Sequence, residues 1–131
     1  MAKSKSSYVP FHRHVFNDPL IYQLTAYERL LLDQLYMQFN GKNNGDFSCA
    51  WSVMKRKGWN SKATLFKAKQ GLLNKGWIEE TRKGYTGVCS LYAVTFLKID
   101  DCNGKLDCIA TNTPSMLYRD INKPDPSTVP K

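Results

Sequence analysis

Nowhere in this chain of 131 residues does an apolar run approach the ~20 residues that a membrane-spanning helix needs. The amino-terminal stretch MAKSKSSYVP carries charge but no apolar core, so no signal peptide is expected and a cytoplasmic setting is. The four cysteines, Cys49, Cys89, Cys102 and Cys108, form no CxxC pair and have no zinc-like partner pair. Reduced thiols are the simplest expectation, with a Cys102–Cys108 disulfide as the minor alternative. Histidine is scarce: His12 and His14, in FHRHVF, have no third ligand in view, so they read as surface residues and no metal is expected. No Ser/His/Asp set, paired carboxylates or phosphate-cradling glycine loop stands in a supporting context. The expectation is therefore a protein that is not an enzyme, with no cofactor and no evident small-molecule ligand.

Acidic residues are also few, eleven against nineteen Lys and Arg, for a net charge of +8. The imbalance is local. Between Lys55 and Lys83 nine basic residues face only Glu79 and Glu80, so this segment holds seven of the eight net charges. Such concentration favours a polyanionic partner.

The apolar fraction of 42% suffices for one modest core. Residues 1–10 read as a flexible basic terminus, 11–109 as the folded domain, and 110–131 as an extended or disordered tail. In that tail only Met116, Leu117, Tyr118 and Ile121 offer anchors. Asp18-Pro19 can open a short helix. Thr25 with Glu28 forms a capping box for a helix to about Phe39. Its apolar stripe is wider than one core face needs, which predicts a cover from Phe11–Leu24 or from a second subunit. GKNNGDFS reads as a turn with a short extended piece at Asp46 and Phe47. Ser48 predicts a cap for a helix from Cys49 to about Lys57, stopped at Gly58. Ser61 predicts the cap of the next helix, which ends at Gly76 and has Leu65, Ala68, Leu72 and Leu73 on one face. Trp77–Lys83 and Val88–Leu97 then read as a β-hairpin around Gly84–Gly87.

Helix, short strand, helix, tight corner, helix, hairpin is the order of a winged helix-turn-helix: mainly α, with a small β-hairpin. The stretches NNGDFS, GWNSKATLFKAKQGLLNKGWIEETRKG and CSLYAVTFLKID resemble the winged helix-turn-helix proteins of bacterial mobile elements, phages and plasmids. More distantly the chain resembles plasmid replication initiators and MarR-like winged helices. The resemblance covers roughly Tyr8 to Asp107, is specific for the fold, and says little about biological role.

It implies that the third helix enters a DNA groove. Ser61, Lys62 and Thr64 lie at its amino-terminal end, where base edges are usually met, and Lys67 sits a turn further on. Arg82, Lys83 and Tyr85 flank the wing tip. Lys55, Arg56 and Lys57 either contact phosphate or complement the negative end of their own helix dipole. Lys62, Lys67, Arg82 and Lys83 have a bland alternative as a solvated face. Trp51, Trp59 and Trp77 read as core or corner packing rather than stacking platforms, and Tyr85 has little core to enter. The expected function is sequence-specific binding of double-stranded DNA, as a small transcriptional regulator or replication-control factor of a mobile element, with a homodimer as a possible form. The alternative is a winged helix turned to protein binding, such as an inhibitor of a host protein.

Overall fold

The structure, a computed structural model, describes residues 8–121. Helices α1 (Arg13–Phe16), α2 (Ala26–Tyr36), α3 (Trp51–Lys55), α4 (Lys62–Asn74) and α5 (Leu117–Ile121) surround a sheet of β1 (Phe47–Ser48), β2 (Ile78–Arg82) and β3 (Leu91–Val94). Strand order is β1-β3-β2, with both pairings antiparallel. The fold is thus α-helical with a small three-stranded sheet. The expected hairpin is present, and Phe47 and Ser48 add a third strand by pairing with Tyr92 and Leu91.

Local chemistry sets the helix starts. The Asp18 carboxylate accepts from Leu20 N at the head of a 3-10 turn, Pro19–Gln23. The Thr25 hydroxyl accepts from Glu28 N, and the Glu28 carboxylate accepts from Thr25 N at 2.9 Å, completing the capping box. Ser61 caps α4 by accepting from Thr64 N.

Several boundaries differ from the sequence expectation, the short strand among them, which is Phe47–Ser48 rather than Asp46–Phe47. Helix α2 stops at Tyr36 because Gln38 and Phe39 switch to i→i+3 bonds with Leu35 and Tyr36. Helix α3 starts at Trp51, and Ser48 does not cap it. The Gln38 side-chain amide instead clasps the Ser48 backbone, accepting from its N–H and donating to its carbonyl, which holds Ser48 in β1. Strand β3 is shorter than Val88–Leu97: Val88 closes a turn with Tyr85, and the Asn44 side chain takes backbone groups of Val94 and Leu97.

Part of the wide apolar stripe of α2 is covered within the chain, while Tyr27, Leu30 and, just past the helix end, Met37 stay exposed. Leu31, Leu32, Leu35 and Tyr36 are all buried, together with Val15 and Ile21 of the amino-terminal segment. Phe11 and Phe16 stack near Tyr36, whose hydroxyl donates to the Pro10 carbonyl at 2.6 Å. The fold-back of the amino-terminal segment thus accounts for the buried part of the stripe.

Part of the expected tail belongs to the fold. Residues 122–131, like 1–7, lie beyond the described residues. Residues 110–121 cross the sheet end, where Met116 N donates to the Thr95 carbonyl and Tyr118 is fully buried against Trp77. Local composition is polar there, but one aromatic has a partner across the chain.

A buried contact ties α2 to α4. Glu28, already used in the capping box, accepts from Lys75 Nζ at 2.6 Å. Gly71 faces it, and a Cβ at that position would overlap the carboxylate. Mid-helix Gly→Ala ordinarily gains ~0.5–1 kcal/mol. Here the sign should reverse: Gly71→Ala is expected to destabilise by about 1–3 kcal/mol through overpacking. In a Glu28→Ala background the same change should become neutral or stabilising. Urea denaturation of the four proteins measures this, and a Gly71→Ala protein more stable than the parent would refute it.

Candidate nucleic-acid interface

Helix α4 is seated by Leu65, Ala68 and Leu72, all buried. At about 100° per residue, Ala63 and Gln70 point away from that stripe, with Phe66 and Lys67 on either flank. Lys62, Ala63, Phe66 and Lys67 are exposed. The corner before α4 is fixed by Gly58 at φ +102°, a left-handed value that favours glycine, and by Trp59. Trp59 is buried, lies beside Tyr27, and donates from its indole N–H to Gln34 Oε1 at 2.6 Å.

The ten residues singled out above fall into three groups. Lys55, Arg56, Lys57, Lys62, Lys67, Lys83 and Tyr85 are solvent-exposed, at or just after the end of α3, on α4 and on the β2–β3 turn. Arg82 is half-buried and donates from Nε and Nη2 to the Cys89 carbonyl at 3.2 and 2.8 Å, so it braces the hairpin across its own turn. Ser61 and Thr64 are half-buried. The Ser61 hydroxyl is engaged in the cap, and Thr64 lines clefts beside Tyr27 on the α2 side of the helix. Lys83 is anchored through its backbone N–H, which donates to Asp107 Oδ2. Tyr85, 72% exposed, stands on the turn closed with Val88.

Three further residues join this surface. Phe66 is 56% exposed on the outer face of α4. Lys69 Nζ lies 5.1 Å from the Phe66 ring and 5.8 Å from that of Tyr92, and Lys62 Nζ lies 5.9 Å from the half-buried Trp51 ring. Trp51, Lys62, Phe66 and Lys69, together with Cys49 and Leu65, line a cleft of about 240 Å³. The helical spacing of Phe66 from Leu65, Ala68 and Leu72 was the available signal for its exposure. By contrast Lys75, though part of the basic segment, is bound to Glu28 and the Gln23 carbonyl.

Burial pushes the Cys49 thiol up to about 11 despite the opposing charge of Lys69, so it is protonated near neutrality. Burial also raises the Tyr92 phenol, again against Lys69. All four cysteines are free. Among the described residues no group of three or more His, Cys, Asp or Glu is arranged to hold a metal ion, and no helix is long and apolar enough to cross a membrane. Comparison of the chain with protein-family models, curated proteins and solved structures found no match.

Proposed function

We propose that the domain is a winged helix-turn-helix that binds double-stranded DNA in a sequence-specific way, with α4 as the recognition helix and the β2–β3 hairpin as the wing. The more particular reading is a small transcriptional regulator or replication-control factor of a phage, plasmid or other mobile element, which the sequence resemblance favours. One observation carries the proposal: the outward face of α4, the end of α3 and the β2–β3 turn carry Lys62, Lys67, Lys55, Arg56, Lys57 and Lys83 with no exposed acid on α3 or α4. Like charges crowded this way repel in the free protein and are neutralised when they displace counterions from phosphates.

Phosphate contacts by half or more of these six cations give a slope of about −3 to −5 for log affinity against log salt, from ~0.9 per phosphate. Titration of a labelled duplex, obtained by selection from random sequences, measures it. Lys62→Ala should cost about 1–3 kcal/mol on the selected site and relax preference at one position, whereas Lys83→Ala should weaken all duplexes alike. A flat salt dependence, or a selection that enriches no sequence, refutes the reading and favours a protein partner.

A further inference from the structure

The polar and basic residues of this surface explain how DNA would be held, but not why an aromatic ring stands among them. Phe66 is the largest side chain on the outer face of α4, and it is 56% exposed. The helix is seated on the core by Leu65, Ala68 and Leu72 without it. Ala63, one turn earlier, is exposed as well. The two make a small apolar patch bordered by Lys62, Lys67 and Lys69, with the Lys69 ammonium 5.1 Å from the ring.

We infer that this patch is a specificity element that reads thymine methyl groups in the major groove, with Phe66 as the principal contact and Ala63 as the second. The inference rests on the DNA reading above. The argument is one of complementarity. The surrounding cations draw the face onto a polyanion, so its apolar centre meets whatever apolar surface a DNA groove presents. In the major groove the 5-methyl of thymine is the exposed apolar group on a base edge, and phenylalanine and alanine suit it. The minor groove presents no such methyl. A partner protein would meet the same lysines only with an acidic rim, and it would not distinguish thymine from uracil.

The test removes the methyl and nothing else. Within the selected duplex each thymine is replaced in turn by deoxyuridine, which leaves base pairing and backbone charge unchanged. At one or two positions the affinity of the parent protein is expected to fall about three- to fivefold, the equilibrium equivalent of leaving one CH₂-sized group in water. Phe66→Ala should bind the thymine duplex more weakly by about the same factor or more, and lose the discrimination against uracil at that position. Phe66→Leu should keep it. Because Phe66 is exposed, Phe66→Ala is expected to fold, and circular dichroism checks this.

Four outcomes overturn the inference: a selected site without thymine under α4, equal affinity for every uracil duplex, unchanged discrimination in Phe66→Ala, or parent-like duplex affinity in that variant. Each leaves the DNA reading intact if a preferred duplex is still bound with the expected salt dependence. Failure to select any duplex removes both.

Discussion

Asn44→Asp is expected to destabilise the domain by about 3–5 kcal/mol at neutral pH, although it exchanges one nitrogen for one oxygen. Asn44 is completely buried. Its Nδ2 donates to the carbonyls of Val94, Leu97 and Lys98 at 3.1, 3.2 and 2.8 Å, and its Oδ1 accepts from Val94 N at 2.9 Å. The Asn44 backbone exchanges two further bonds with Asp100, one to the carboxylate and one from the N–H. A carboxylate would set oxygen against three carbonyls and add charge beside the buried Asp100. The new Asp should escape by holding a proton, which raises its folded pKa above the ordinary ~3.9. A group whose folded pKa is raised binds more protons folded than unfolded, so the variant loses stability as pH rises through the interval above ~3.9. Urea midpoints at pH 4 and pH 7 test this: the gap to the parent should be wider at pH 7. Asn44→Ala should be destabilised with no such pH dependence. An Asn44→Asp protein within about 1 kcal/mol of the parent at pH 7 would show that the side chain is not the hub described.

Asn44 also marks where sequence reasoning stops. Its partners lie some fifty residues away, at |i−j| of 50 to 54. As a letter in NNGDFS it is simply a turn former. What can be read locally is what local bonds decide. The Thr25–Glu28 box, the Ser61 cap and the stops at Gly58 and Gly76 each involve groups within four residues, and each stands where the sequence places it. The shortened β3 and the third strand depend on which distant backbone pairs with which, and no periodicity carries that.

The candidate interface divides in the same way. The basic segment is visible as a composition, since nine cations against two acids need no geometry. Which cations face outward is a tertiary fact. Lys75 turns inward because Glu28 lies on the neighbouring helix, and Arg82 turns back because the Cys89 carbonyl lies across the hairpin. Phe66 was within reach of the helical wheel, but a search for charge passes over an aromatic. Its position on the wet side of α4 matters only once Leu65, Ala68 and Leu72 are known to fill the other side.

The segment before the end of the described chain offers the second large effect. Tyr118→Ala is expected to cost about 3–5 kcal/mol, the usual loss for deleting a buried aromatic. The Tyr118 ring is 0% exposed and lies 3.8 Å from the Trp77 ring, centroid to centroid, at 12° between planes. Gly76 permits the approach: it sits at φ +79°, and a Cβ there would come within 2.9 Å of the Tyr118 backbone. On either side of Tyr118 the segment is fastened, by Met116 N to the Thr95 carbonyl and by Arg119 to Asp18. Trp77 lies directly between α4 and β2, so removing its cover loosens the junction that holds α4 to the β2–β3 hairpin. Amide exchange should therefore accelerate first at Trp77 and Thr95, while the capping box of α2 stays protected. Tyr118→Phe, which keeps the ring and its volume, should stay within about 1 kcal/mol of the parent. The measurement is a urea transition for each variant with the slope unchanged. If Tyr118→Ala unfolds at the parent's midpoint, residues 110–121 are a tail after all, and the domain closes at Ile109.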